Sequence, residues 1–175
     1  MKFKFWIFAI IILVSLSVLR SSHAASSYVL PYPSEMPGSR LYELSQVIEN
    51  LSQFWNFGSF GKFGYHLKLS DKYIVEGKTL FEYKQYLLAY ESIQKSNQYF
   101  VKTYPNLQNA KTESKDISEK SQVLNEASIK HIEELEKIKL YTPDIFVWTP
   151  EKKPPTKLQI HKLLIESIEI RKKNQ

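Results

Sequence analysis

A proline-stepped arm that runs straight into a strongly amphipathic helix is the feature that most constrains this chain. Tyr28-Val-Leu-Pro-Tyr-Pro leads to Met36-Pro-Gly-Ser39. Pro31, Pro33 and Pro37 cannot continue a helix, and they hold their neighbours extended. From Ser39, a good N-cap, the residues Leu41, Leu44, Val47, Ile48, Leu51, Phe54 and Trp55 recur at the spacing of one helical face. The pattern predicts a helical bundle whose core centres on this first helix, with the arm strapped across it.

The rest of the chain supplies the other helices. Asn56 to Gly64 is a glycine- and aromatic-rich corner; it lacks the ending of a phosphate-binding loop and reads as a turn filled by Phe57, Phe60 and Phe63. A second helix is expected from about Lys62 to Glu76, with Phe63, Leu67, Ser70 and Ile74 inward and Gly77 as its stop. Thr79-Leu-Phe-Glu82 reads as a capping box. It would open a third helix that runs through Leu87, Ile93 and Phe100 to about Thr103, antiparallel to the second. Asn106 to Glu119 is polar, a hinge or a frayed helix start. A fourth helix ends near Tyr141, with Leu124, Ala127, His131, Leu135 and Ile138 inward and Glu126–Lys130 and Glu133–Lys137 as outer pairs.

Pro143 to Pro155 predicts a non-helical crossing whose apolar piece, Ile145 to Trp148, lies extended over the bundle. Thr156-Lys-Leu-Gln159 reads as another capping box, opening a last helix with Ile160, Leu164 and Ile168 inward. Arg171-Lys-Lys173 suits the negative end of that helix. The expected class is all-α, antiparallel helical hairpins forming a four- to five-helix bundle. Its divisions are residues 1–24 (signal peptide or membrane anchor), 25–38 (Pro-rich arm), 39–142 (helical core), 143–156 (Pro-rich crossing) and 157–175 (C-terminal helix).

Met1 to Ala25 has a positive start at Lys2 and Lys4, an apolar run from Phe5 to Leu19, and Ser22-His23-Ala24 before a cleavage point after Ala24. That is the layout of a secretory signal peptide. An uncleaved signal anchor is the alternative, and either leaves the body of the protein extracytoplasmic. Lys2, Lys4 and Arg20 account for three of the +6 formal charges, so the remainder carries only +3. Beyond Arg20 the only arginines are Arg40 and Arg171, and so weak a basic balance argues against nucleic acid as a partner. There is no cysteine, which excludes disulfides, thiolate metal sites and a lipid-modified cysteine.

No catalytic constellation stands out. His66, His131 and His161 show no metal-ligand spacing, so neither a metal nor a cofactor is expected. His131 falls on the inward edge of the fourth helix and reads as a packed, hydrogen-bonded histidine, with a metal or proton-sensing role as the sharper alternative. Glu133, Glu134 and Glu136 read as a solvated salt-bridge face. Tyr73, Tyr83, Tyr86, Tyr90 and Tyr99 read first as core, and otherwise as a groove for a peptide or glycan. Interaction candidates are His131, Tyr73, Tyr83, Tyr90 and Trp148.

The chain also resembles a bacterial family of secreted or membrane-associated domains of unknown function. Its members begin Leu-Pro-Tyr-Pro-Gly, then Leu-Pro-Asp, then Pro-Leu-Tyr-x-Leu-Lys. Here the matching residues are Leu30-Pro-Tyr-Pro33, Pro37 and Leu41-Tyr42-x-Leu44, followed by Ser70-Asp71-Lys72, Glu76-Gly77-Lys78, Leu88-Ala89, Ser96-x-x-Tyr99 and Ala127-Ser-Ile-Lys-His131. Ser34, Gly38 and Arg40 stand where the family has Gly, Asp and Pro, and its basic run on the first helix is replaced by Ser45 and Ile48-Glu49-Asn50. The resemblance implies a secreted or tethered helical domain and brings no catalytic residue. The expectation is a non-enzymatic binding or structural module of the cell envelope. Its partner would be an envelope protein or peptide, with membrane contact only through an uncleaved N-terminal segment. An extracytoplasmic sensory or chaperone-like hairpin is the alternative, and an enzyme a distant third.

Overall fold

The structure is a computed structural model that describes residues 27–33 and 35–174. The export segment and its cleavage point lie outside the described residues. In chain order the elements are α1 (Arg40–Ser52), α2 (Gly58–Glu82), α3 (Tyr86–Phe100), α4 (Thr103–Thr112), α5 (Ser118–Tyr141), β1 (Ile145–Trp148), β2 (Thr156–Gln159) and α6 (Ile160–Lys173). The molecule is thus a mostly helical bundle, of the class the periodicity predicts. Five helices, α2 to α6, build its core.

Helix α2 is the spine. It lies against α3, α4 and α5, while α6 packs across α5 and α3. Its two sides feed two apolar clusters, one containing Ile74, Leu80 and Phe81 with Ile93, Leu135, Ile138, Leu164 and Ile168. The other joins Phe63 and Leu67 to Phe100, Leu107, Leu124 and Ala127. Ile160, Leu164 and Ile168 point inward as their spacing demands.

Several boundaries differ from the sequence reading, each for a tertiary reason. Gly77 does not end α2, which continues to Glu82. A Cβ there would come within 2.7 Å of Ile93 Cδ1 and 3.4 Å of the Ala89 carbonyl. The glycine therefore lets α3 approach α2 closely, and the chain reverses at Tyr83-Lys84-Gln85, with Lys84 in the left-handed region (φ 59°). Thr79 caps nothing; its hydroxyl donates to the Val75 carbonyl one turn back (3.0 Å). The polar stretch after Pro105 is helix α4, because Leu107 and Ala110 find the core and Pro105 sits in the first turn, where no donor is needed. Thr156 to Gln159 is a strand rather than a capping box. It pairs antiparallel with β1, Phe146 opposite Leu158, and Leu158 is buried.

The largest departure is α1. Ser39 caps it as expected, its Oγ accepting from the Leu41 amide at 3.3 Å. None of its residues is buried, however. The helix expected at the centre of the core lies outside it.

Candidate functional site

Two features outside ordinary apolar packing stand out: a closed polar cluster in the bundle's interior and the reversed seating of α1. The cluster draws on four helices and the arm. Ser70 and Asp71 come from α2, Ser96, Asn97 and Phe100 from α3, His131 from α5, and Ser167 and Arg171 from α6. His131 and Arg171 are wholly buried.

Arginine can only donate, so its Nε–H donates to His131 Nδ1 (3.5 Å). His131 Nε2 then carries the proton and donates to Asp71 Oδ1 (2.8 Å). The other oxygen of Asp71 accepts from the Tyr28 hydroxyl at 2.6 Å. The guanidinium is completed by Asn97 Oδ1, by Ser96 Oγ (2.7 Å) and by the Ser167 carbonyl (3.2 Å), with the Phe100 ring 4.8 Å from its carbon. A neutral imidazole thus bridges a carboxylate and a guanidinium, and every polar atom of that bridge is occupied.

Burial pushes the His131 imidazolium below its usual range. The hydrogen bond to Asp71 works against this, and the Arg171 charge adds to it. Burial also lowers the guanidinium, to about 9, which leaves it charged at neutral pH. The tyrosine of the arm is raised well above its ordinary value by burial and by Asp71, so it remains a donor. Chemically the cluster holds helices and arm in register; at its edge Tyr28 and Asp71 line a surface recess of about 290 Å³ together with Leu67 and Lys68.

The second feature lies on the adjacent side of α2. The side chains of α1 that meet the bundle are polar: the Tyr42 hydroxyl donates to Glu76 Oε1 (3.0 Å), and Glu49 accepts from Lys72 and from the Tyr73 hydroxyl (2.8 Å). The Tyr65 hydroxyl donates to the Glu49 carbonyl (3.0 Å). Glu76 Oε1 also accepts from Ser92 (2.6 Å), while its Oε2 is buried with no hydrogen-bond partner. The apolar stripe, Leu41, Leu44, Val47, Ile48 and Leu51, is 46% to 55% exposed and points away. Phe54, Trp55 and Phe57, beyond the helix, are 63%, 70% and 76% exposed.

The sequence candidates are scattered by this arrangement. His131 lies in the cluster. Tyr73 is buried, stacked on Tyr99 with ring centroids 5.8 Å apart. Tyr83 is exposed in the α2–α3 turn and Trp148 ends β1; both border an open recess of about 390 Å³ together with Tyr86 and Phe146. Tyr90 packs on the main core. The tyrosines therefore do not form one groove.

Glu134 corrects another expectation. It is buried, and although burial alone raises its carboxyl, hydrogen bonds from Lys78, Lys130 and Lys137 outweigh that and hold it at about 2. Glu133–Lys137 is formed (2.5 Å), while Lys130 reaches Glu133 and Glu134. His66 accepts from Asn106 at 2.8 Å and is lowered to about 4 by burial and by Lys102 and Lys62. Among the described residues, no three His, Asp or Glu side chains converge in a way that could hold a metal ion.

Asp71, Arg171, Asn97 and Tyr28 are not among the sequence candidates, although Asp71 falls in the Ser70-Asp71-Lys72 motif and Arg171 in the cationic run that ends the last helix. One signal was present: Arg171 continues the inward stripe of Ile160, Leu164 and Ile168, and it is one of only three arginines in a chain rich in lysine.

Residues 34–144 match the family described as a domain of unknown function, DUF5667. The chain belongs to that family. The expected kinship with domains of unknown function holds at that level. No curated protein and no solved structure matches the chain. The DUF5667 segment covers α1 to α5, with Asp71, Asn97 and His131; Tyr28, Ser167 and Arg171 lie beyond it. The polar cluster of this DUF5667 protein is therefore closed by residues from both flanks of the matched segment.

Proposed function

We propose that this protein is an exported, non-enzymatic helical module of the cell envelope, a binding or structural element whose contact surface is the outward face of α1. The observation that carries the reading is that face: an amphipathic helix docked by its polar side, with five aliphatic side chains and three aromatic rings directed to solvent. Apolar surface of that extent marks an interaction site. The export layout of residues 1–24 supports an extracytoplasmic location. The non-enzymatic reading draws on Asp71, His131 and Arg171, which satisfy one another through direct hydrogen bonds within the bundle. The partner is a component of the envelope.

A second reading is favoured by the cluster itself. The polar convergence on His131 fits a sensory module, with the arm released when the Asp71–His131 contact changes.

The test has two arms. A C-terminal alkaline phosphatase fusion, active only outside the cytoplasm, is expected to be active. Added to isolated envelopes as residues 25–175, without the N-terminal run, the chain is expected to bind, and its variant L44D/V47D/L51D to lose that binding and no longer stay with the envelope while keeping the far-UV circular dichroism of the wild type. A silent reporter, or a variant that stays with the envelope, would overturn the proposal.

A further inference from the structure

We infer that the outward face of α1 is a lipid-contacting surface, seated in the interfacial zone of the bilayer beside which the exported chain is held. This deepens the reading above and rests on it for the side of the membrane.

The orientation of α1 is the first argument. Tyr42 and Glu49 fix its polar side to α2 through Glu76, Lys72 and Tyr73, which leaves its apolar stripe turned to solvent. An interfacial helix needs that geometry: a polar side engaged, an apolar side free to sink into the acyl boundary. Phe54, Trp55 and Phe57 follow the stripe, more exposed than any aliphatic residue of α1. Aromatic rings of this kind favour the headgroup level.

Chain length is the second argument. Only Arg20 to Ser27 separate the apolar run ending at Leu19 from Tyr28, which is fastened to Asp71. Eight residues span at most about 28 Å. Whenever that run occupies a bilayer, the bundle is held within about its own width of the lipid.

The alternatives fit less well. A second copy meeting α1 face to face would find a strip roughly 20 Å long and one helix wide. That offers a few hundred Å², short of the roughly 800 Å² per partner of a standard interface. A lipid surface requires no complementary shape. Charge sets the kind of lipid contact: Arg40 is outnumbered by Glu43 and Glu49 on the helix, so the contact is made by apolar burial rather than by attraction to anionic headgroups.

The test uses the full chain with Trp6 and Trp148 replaced by Phe (W6F/W148F), leaving Trp55 as the sole tryptophan, reconstituted in phosphatidylcholine vesicles with brominated acyl chains. Trp55 emission is expected to shift to the blue and to be quenched at least twofold relative to unbrominated vesicles, more by shallow than by deep bromines. Adding L44D/V47D/L51D should abolish the quenching, and because the N-terminal run is unchanged in both chains, the difference isolates α1. The comparison of shallow and deep bromines needs no variant of α1, so it stands even where the triple variant misfolds. A Trp55 that acrylamide reaches equally with and without vesicles overturns the inference. So does a blue shift without bromine quenching, which would mean a protein contact such as a second copy. A wet Trp55 in a chain whose phosphatase reporter is active overturns this inference alone; a silent reporter overturns the reading beneath it.

Discussion

His131 illustrates how a buried residue writes itself into solution behaviour. Its folded-state imidazolium is disfavoured by burial and by Arg171, so the unfolded chain takes up a proton that the folded chain resists. The stability it contributes is complete above the ordinary histidine range, near pH 6.5, and is lost as the pH falls below it. His66, lowered to about 4, adds a loss of the same sign between about 6.5 and 4. Urea unfolding at pH 7, 6 and 5 should therefore show falling stability, and H131N should flatten the slope, leaving the share of His66. A slope untouched by H131N would remove the histidine from this role. Arg171→Lys should cost about 2–4 kcal/mol in the same experiment, because a lysine cannot serve His131, Asn97 and Ser96 together and leaves buried partners unmet. Gly77→Ala sets helix propensity, a gain of about 1 kcal/mol, against a Cβ placed 2.7 Å from a fully buried Ile93. Overpacking of that kind costs about 1–3 kcal/mol, so a net loss is expected. Pairing it with I93V, which removes the offending Cδ1, should recover most of it in a double-mutant cycle.

Among the elements, α1 is held differently from the rest. Its anchors are a few hydrogen bonds rather than buried apolar area, and such segments open at lower free energy than the core. Amide exchange over residues 40–52 should be faster than over α2 by at least tenfold. Glu49→Ala, which removes the acceptor for Lys72 and Tyr73, should speed it further while moving the global melting temperature by less than a degree or two. Equal protection of α1 and α2 would contradict the polar seating. The helices themselves were legible from their periodicity: α5 and α6 lie where their stripes fall, and α1 starts at its Ser39 cap. The joins were not. Gly77 looks like a stop because glycine commonly ends helices, yet what it answers here is the proximity of Ile93, a residue 16 positions away. Thr156 to Gln159 looks like a capping box until Ile145 to Trp148 is found alongside to pair with it.

At the scale of the whole molecule, the family match and the folding unit do not coincide. The DUF5667 match ends at residue 144, whereas Leu158, Ile160, Leu163, Leu164 and Ile168 belong to the main core cluster. A chain truncated after Asp144 would expose that core and strand His131 and Asn97 without Arg171. It should lose near-UV circular dichroism and cooperative melting while keeping helical content; a cooperative transition in the truncated chain would show α6 to be dispensable. No helix among the described residues is long and apolar enough to cross a membrane.

The sequence by itself determined the class of fold, most helix spans and the existence of an apolar stripe on α1, because caps and periodicity are local properties of the chain. Only the tertiary structure decided what each stripe faces. Arg171 was legible as a cation at a helix end, but its burial depends on Asp71, His131, Asn97 and Ser96, which arrive from three other helices. The stripe of α1 was legible as apolar, but periodicity says nothing about what covers a face. The Tyr42 and Glu49 contacts turned that face outward, away from the core the other five helices had already closed.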